Sequence, residues 1–463
     1  MAEAGDISRA QSAPLYESAT KIYPREQSGR FAGLSKLATI TLLGLFYILP
    51  WLTWDGRQAI LFDLPARKFH LLGLTLWPQD FPYLALLLII AALSLFFFTA
   101  LAGRLWCGFA CPQTVWTEAF IWMEQLTEGP RSQRMKLDQA PWSWNKLRRK
   151  GAKQLLWLTF SLWTGFTFVG YFAPIRQLGV DILAFDIAGW TLFWTLFYGF
   201  ATYGNAGYMR EQVCKYMCPY ARFQSAMFDK DTLIISYDAR RGEPRGGRKR
   251  SVDHAAAGLG DCIDCTLCVQ VCPTGIDIRD GLQYECIACA ACIDACDSVM
   301  DRMNYPRGLV RYTTEHALHG DTTRVLRPRM FVYATLLLMF ATALVTSMAT
   351  RTPILIDVMR DRNTLYRELP GDVIENTYTV KVINQSNAER RFRLSVSGVP
   401  GITLDGVGEE ITVGGGDVLS LPVRARAHSR DAYGIMEIVF SVTASDDENL
   451  VAEEDSRFLG PTP

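Results

Sequence analysis

Five runs of this chain are apolar and long enough to cross the roughly 30 Å of a bilayer's hydrocarbon. They fall at about Leu37–Trp54, Tyr83–Gly103, Gln154–Phe172, Ile187–Tyr203 and Met330–Met348. No other feature restricts the architecture as strongly. Inside lipid each backbone N–H and C=O must be satisfied by the protein itself, so each run is expected to be a helix. The fourth run is the weakest, because Gly and Thr dilute its last turn. The 12 Trp residues concentrate in these runs, which suits aromatic belts at the membrane surface. The first run follows Lys21, Arg25, Arg30 and Lys36 and has no small-residue cleavage site, so it reads as a retained anchor.

Positive charge sets the orientation. The segment between the second and third runs carries Arg104, Arg131, Arg134, Lys136, Lys146, Arg148, Arg149 and Lys150. The next connection has only Arg176, and the long segment after the fourth run carries Arg240, Arg241, Arg245, Arg248, Lys249 and Arg250. The N-terminus and both basic segments are therefore expected in the cytoplasm, and the part after the fifth run outside, in a periplasm if there is one. With 47 basic and 47 acidic residues the net charge is zero, which removes any global electrostatic case for nucleic acid.

The 12 cysteines fall in four tight groups between Cys107 and Cys296. Such clustering points to metal ligation or redox chemistry in a reducing compartment rather than to a disulfide framework. Two groups read "CIDCTLCVQVCP" and "CIACAACIDAC", each with C-x2-C-x2-C-x3-C spacing. This doubled spacing is the pattern of a two-cluster bacterial ferredoxin, in which the fourth cysteine of each run serves the other cluster. Cys262, Cys265, Cys268 and Cys296 are thus expected to hold one 4Fe–4S centre, and Cys286, Cys289, Cys292 and Cys272 a second. A four-cysteine zinc site would leave the third and fourth cysteines of each run unexplained. Pro273 follows Cys272 as the pattern expects, whereas Asp297 stands after Cys296 where proline is usual.

The other two groups are "LWCGFACPQTVW" and "VCKYMCPYARF". Both place a C-x3-C-P motif just after an apolar run. Pro112 and Pro219 suit the first position of a helix, where an N–H would have no partner. Cys111 and Cys218 would then sit at helix N-termini, where the dipole favours a thiolate and lowers the pKa. Cys107 and Cys214 lie one helical turn earlier. The order "two spans, cysteine pair, amphipathic helix" occurs twice, about 107 residues apart, as an internal repeat of pattern. If the halves pack with pseudo-twofold symmetry, four thiols converge at the cytoplasmic face, with Met217 nearby. Three readings stay open on spacing alone: buried packing cysteines, a further cluster or zinc site, and a redox-active site for a soft metal such as copper.

From about Asp372 onward the pattern changes to period two. "NTYTVKVIN", "ERRFRLSVSG", "DVLSLPVRARA" and "IMEIVFSVTAS" read as strands separated by Gly-, Asn- and Asp-rich turns. About 90 residues of this kind imply an immunoglobulin-like β-sandwich, here without cysteine. No catalytic constellation is visible there. His428 stands alone as a surface or turn residue, and the module reads as a docking domain. Residues 1–30 read as a mobile tail, and the Gly-rich basic stretch 238–257 as a solvated linker, with contact to anionic lipid as the alternative.

The paired spans, the twin C-x3-C-P motifs, "YDARRGEPRG" before the ferredoxin pattern and "RGLVRYTTE" after it resemble the cytochrome c oxidase accessory proteins of the CcoG/FixG/RdxA type. The resemblance runs from about Tyr23 to the C-terminal domain. It implies a role in maturing cbb3-type oxidases by reducing Cu(II) to Cu(I), with oxidase subunits or copper chaperones as partners. It also implies that Cys107, Cys111, Cys214 and Cys218 handle copper while the other eight cysteines carry two 4Fe–4S clusters.

The expected molecule is a multi-domain protein of the cytoplasmic (inner) membrane. It has a tail (1–30), a membrane domain with four spans (31–237), a basic linker (238–257) and a two-cluster ferredoxin-like domain (258–329). A fifth transmembrane helix (330–350) and the immunoglobulin-like domain (351–463) complete it. Its expected activity is that of a cupric reductase. Two other classes remain at this stage: an electron conduit between a quinol or ferredoxin pool and a partner, without copper, and an assembly scaffold with structural clusters. The sequence does not specify the electron donor.

Overall fold

A computed structural model describes residues 21–251, 256–362, 364–386 and 388–461. It divides into two compact units, residues 1–341 and 342–463. The first unit opens with helix α1 (Arg30–Ile48). Five short strands follow, β1 (Thr53–Trp54), β2 (Arg57–Gln58), β3 (Ile60–Asp63), β4 (Lys68–Leu71) and β5 (Leu74–Leu76). Then come α2 (Phe81–Ala102), α3 (Leu105–Phe109), α4 (Pro112–Glu128), α5 (Arg131–Gln139), α6 (Trp144–Val169), α7 (Ile175–Leu183) and α8 (Gly189–Thr202). A π-helical stretch, Tyr203–Met209, and a second, Val213–Met217, lead to α9 (Pro219–Met227).

Among the described residues three helical segments are long and apolar enough to cross a membrane: Arg30–Trp51, Pro78–Ala102 and Pro328–Ala349. Their large apolar side chains are widely exposed, as at Ile40, Leu88 and Leu338, which is what a lipid-facing surface requires. The third and fourth expected spans fall short of that mark. Helix α6 has 26 residues, but Lys146, Arg148, Arg149, Lys150 and Lys153 occupy its first half. Helix α8 has only 14 residues, about 21 Å at 1.5 Å per residue, before the glycine-containing "YGNAGYM" widens into the π-helical turn. The two helices pack closely: a Cβ on Gly165 would lie 2.2 Å from the Thr195 carbonyl oxygen, so only glycine permits the approach.

Strands β1–β5 were not foreseen. They are two to four residues long and show no periodicity of their own. They are tied down from the other end of α6. Gln58 donates to the Gly170 carbonyl (2.6 Å) and accepts from the Ile175 amide (3.0 Å), and the Phe62 amide donates to the Tyr171 carbonyl (2.7 Å).

The cysteine-rich insert is bracketed by β6 (Ile234–Tyr237) and β7 (Val310–Thr313), an antiparallel pair in which Ile234 faces Thr313. Between them lie α10 (Ala239–Gly242), α11 (Leu267–Gln270) and α12 (Ala291–Met303), and α13 (Glu315–His319) follows β7. Ile235, Ile293, Val299, Met300 and Leu309 form its core. Asp294 on α12 fixes it to α1: its carboxylate accepts the Phe31 and Ala32 amides at 3.3 and 2.7 Å, where negative charge complements the helix dipole.

Two segments expected to be free are packed. Of the tail, residues 1–20 lie outside the described residues. Residues 21–28 form no helix or strand but are held, with Arg134 donating to the Pro24 carbonyl (2.7 Å) and the Arg25 amide to the Gln270 carbonyl (2.8 Å). The basic stretch is a strap over the first cysteine loop rather than a linker. Arg241 binds Asp261, and Arg248 donates to the Gly260 (2.6 Å) and Cys262 (3.3 Å) carbonyls. Its arginines supply donors that the loop's carbonyls need. Residues 252–255 of that stretch are not among those described.

Helix α14 (Pro328–Ala349) carries the chain into the second unit. Its strands are β8 (Ile354–Arg360), β9 (Arg367–Leu369), β10 (Val373–Asn384), β11 (Arg390–Ser397), β12 (Thr403–Asp405), β13 (Ile411–Val413), β14 (Val418–His428), β15 (Ile435–Ala444) and β16 (Val451–Leu459). One sheet has the order β12-β14-β10-β8, with β9 also on β10, and the other β13-β11-β15-β16. Inward residues alternate along each strand, and Tyr378, Phe392, Phe440 and Phe458 are fully buried between the sheets. This is an immunoglobulin-like domain. The Tyr378 hydroxyl donates to the Arg457 carbonyl (2.8 Å), so its burial leaves no polar atom unsatisfied. His428 ends β14 and is exposed.

Phe440 meets Tyr378 edge-on, with ring centroids 5.0 Å apart. Phe440→Ala is expected to cost this domain about 3–5 kcal/mol. Calorimetry of the full chain should show one transition moved down while iron and sulfide content stay unchanged.

Candidate iron–sulfur and thiol centres

The two C-x2-C-x2-C runs fold alike. Asp264 and Thr266 in the first, and Ala288 and Ala290 in the second, have φ between 54° and 62°. These are equivalent positions, on either side of each run's second cysteine. Left-handed backbone is costly for non-glycine residues and persists where a site demands it. The alternation curls each loop around a point, and α11 or α12 then starts beside the third cysteine.

Each loop closes on a cavity. One is lined by Cys262, Cys265, Cys268 and Cys296. The other is lined by Cys272, Cys286, Cys289 and Cys292, and Cys268 forms part of the wall between them. The crossed grouping follows from α12, which returns Cys296 to the first loop. Burial pushes the Cys289 and Cys296 thiols up to about 12 and Cys268 to about 11, with neighbouring cysteines adding to the effect. Buried thiolates in such number need a cationic group beside them. Among the described residues no three His, Cys, Asp or Glu side chains stand close enough to hold a single metal ion. Four sulfurs around a cage, one per iron, are the donor set of a cubane, and the residues present fit it.

The C-x3-C-P pairs take up the helix starts that proline dictates. Cys111 is the N-cap of α4 and Cys218 that of α9, each followed by proline at the first helical position. Cys107 lies in α3 and Cys214 in the π-helical turn Val213–Met217. The two loops converge: Cys107 and Cys214 lie within electrostatic reach of each other, as do Cys111 and both Cys214 and Cys218. The expected drop in thiol pKa is overturned at Cys111. Burial pushes that thiol up and outweighs the Thr114 and Gln113 amides at the helix start. Burial likewise pushes Cys107 up to about 12 and Cys214 to about 11. Cys107 donates to Gln224 Oε1 (3.2 Å) on α9, so one repeat's thiol is held by the other repeat's helix.

Three further residues bind the arrangement together, and none carries a local signal in the sequence. Gly108, next to Cys107, rests on the second cluster loop. A Cβ there would fall 2.8 Å from the Ala288 carbonyl oxygen and 2.9 Å from Cys289 Cα. Arg104, 6% exposed, donates to the Tyr284 and Cys286 carbonyls of that loop and to the Ala221 carbonyl of α9. Glu124 on α4 is fully buried and binds Arg210 (2.9 Å), four residues before Cys214, together with Arg134 (3.3 Å). Burial alone would push its carboxyl up, but Arg210, Lys153 and Lys21 hold it below the usual carboxylate range.

Fold and sulfur sets together define a membrane-bound iron–sulfur protein of oxidoreductase type with an immunoglobulin-like C-terminal domain. The family described as "4Fe-4S dicluster domain" matches residues 209–315, and that described as "4Fe-4S binding domain" matches 84–128. The "IG-like fold at C-terminal of FixG" matches 344–461. The nitrogen fixation protein FixG of Rhizobium meliloti is 37% identical over 446 residues, covering 87% of this chain and 85% of that protein. Protein RdxA of Cereibacter sphaeroides is 40% identical over 462 residues, covering 96% and 94%, and RdxB of the same organism 41% over 417 residues, covering 87% of each. The chain belongs to the CcoG/FixG/RdxA family.

Glu124→Gln leaves Arg134 and Arg210 facing a neutral amide in a buried site. Removing one partner of such a cluster costs about 3–5 kcal/mol. Thermal unfolding in detergent should show that loss, together with freer reaction of Cys214 with a thiol reagent, because Arg210 no longer fixes the turn before it.

Proposed function

We propose that this protein is a membrane-bound cupric reductase that delivers Cu(I) for the copper site of a cbb3-type oxidase. Two 4Fe–4S centres sit on the crossed cysteine sets, and Cys107, Cys111, Cys214 and Cys218 take the copper. Each Cu(II) accepts one electron and becomes Cu(I), and 4Fe–4S centres, when bound, supply electrons singly. Soft thiolates hold Cu(I) in preference to hard cations. The observation that carries the reading is the contact at Gly108: the turn bearing Cys107 presses directly on the backbone of Cys289. Substrate and reductant are thus neighbours with no side chain between the two backbones at that point. A cavity of about 1100 Å³ reaches both Cys214 and Cys289, with Glu118 and Glu211 on its wall, and gives a cation a route to the thiols.

The cysteine-rich insert lies in the cytoplasm, where thiols stay reduced, and the immunoglobulin-like domain lies outside. The paired helices α6 and α8 complete a five-span bundle with the three long apolar helices. The basic start of α6, with Trp142 and Trp144 exposed beside it, then lies at the cytoplasmic surface. The C-terminal domain docks oxidase subunits or a copper chaperone.

Cys107→Ser with Cys111→Ser should leave iron, sulfide and the EPR signals of both clusters intact and abolish Cu(II) reduction by the dithionite-reduced protein. Reduction at the parent rate would remove copper from the account. Gly108→Ala should keep both clusters and all four thiols yet slow the reduction strongly, since the added methyl forces the two backbones apart.

A further inference from the structure

Arg104 is a buried cation without an acidic partner. Its guanidinium binds three backbone carbonyls, those of Tyr284, Cys286 and Ala221, and stacks on the Tyr284 ring at 5.1 Å. Among the described residues no carboxylate pairs with it. A full positive charge taken out of water without a counter-charge is expensive, and carbonyl dipoles offset only part of the cost. It stands between both sulfur sets: the backbone carbonyl of Cys286 accepts from it, and Cys107 follows it by three residues in α3. The position follows from the fold: Arg104 ends the turn after α2, where Gly103 has φ 57° and sends the chain into α3.

We propose that Arg104 is the shared counter-charge of the two sulfur sets and couples copper occupancy of the thiols to the reduction potential of the adjoining cluster. The inference rests on the reading of both sets given above. Two thiols that bind Cu(I) release two protons and leave one net negative charge. An electron added to the neighbouring centre also leaves one more negative charge. Both charges face the same guanidinium and repel each other, so each disfavours the other. Filling the thiols with Cu(I) makes the adjoining cluster harder to reduce, and reducing that cluster loosens Cu(I). Re-reduction after each turnover therefore favours product release. Among the described residues Arg104 makes no hydrogen bond to the loop of Cys262, Cys265 and Cys268, so the cluster of that set serves as the internal reference. Arg104 is a positioning and electrostatic residue: it touches the loops that hold the metals, not the copper.

The test is an EPR-monitored redox titration of the purified full-length protein in detergent, with and without one equivalent of Cu(I). Cys292→Ser, which alters one cluster's signal, identifies the cluster adjoining Arg104. In the unsubstituted protein Cu(I) should lower the potential of that cluster relative to the other. Arg104→Gln should shift its reduction equilibrium roughly tenfold toward the oxidised form, which is about 59 mV for a one-electron couple. The same variant should bind Cu(I) roughly tenfold more weakly in a competition assay. Arg104→Lys restores the charge without the guanidinium fork and should recover most of both losses. Equal displacement of both clusters by Cu(I) in the unsubstituted protein, or none, overturns the proposal. So does an Arg104→Lys variant as deficient as Arg104→Gln, because that result marks a purely structural bridge. Should Arg104→Gln fail to assemble its clusters, the titration of the unsubstituted protein decides alone. Failure of the underlying reading is separately visible, as missing iron and sulfide or no stoichiometric Cu(I) binding, and it takes the inference down with it.

Discussion

A buried thiol ionises only beside positive charge. Most of the sulfur-bearing part of this molecule can be understood from that constraint. Cys268, Cys286, Cys289, Cys292 and Cys296 are all shifted upward by burial, and neighbouring cysteines add to the shift at each of them. Left to itself such a core would hold neutral, weakly interacting sulfurs lining two cavities. With iron in the cavities the same burial becomes an advantage. The metal supplies the charge, and the dry surroundings strengthen its hold on each thiolate. The strained residues at Asp264, Thr266, Ala288 and Ala290 belong to the same account, because they hold the loops in the curl that four-sulfur coordination needs.

The C-x3-C-P set obeys the constraint differently. Its cysteines are only partly buried, and the cation that favours ionised Cys107 and Cys214 is Arg104, which also binds the second cluster loop. Cys111 does sit at a helix start, yet desolvation there outweighs the two amide donors. A helix terminus buried against another domain loses much of the advantage it has in water.

What could be read from the sequence was whatever is encoded locally. The helix starts follow from residues within a turn of one another, whereas the crossed ligand sets join each run to a cysteine of the other run and are read from the doubled spacing pattern. The long strands announced themselves by alternation: β10, β11, β14 and β15 lie where "NTYTVKVIN", "ERRFRLSVSG", "DVLSLPVRARA" and "IMEIVFSVTAS" pointed. Strand β16, "VAEEDSRFL", was passed over because its outward face is acidic enough to hide the pattern. Gly108, Arg104 and Glu124 were illegible for another reason. Their partners stand at Ala288, at Cys286 and at Arg210, and no local period records a contact made across 86 to 182 residues. At α8 the apolar run outlasts the α-helix for a physical cause. Hydropathy counts side chains, whereas the helix widens where Gly204 and Gly207 relax the backbone.

The repeat is symmetrical in motif and asymmetrical in structure, and the asymmetry bears on chemistry. Cys107 stands in an α-helical turn and Cys214 in a π-helical one, so the two pairs differ in backbone although the spacing is the same. Each is also completed from the other half. Gln224, fully buried on the helix that Cys218 begins, accepts the Cys107 S–H through Oε1, and its amide also faces the Tyr220 hydroxyl. A carboxamide in that position suits both states of the sulfur. Its oxygen serves the thiol, and after a half-turn about the last torsion its N–H serves the thiolate. The residue can thus serve the thiol and the thiolate in turn, without any charge of its own. Positive charge at the site comes from Arg104, which favours the ionised form of Cys107 and Cys214. A pair drawn from one repeat would be incomplete: the first pair's polar partner and the guanidinium's third carbonyl both come from α9.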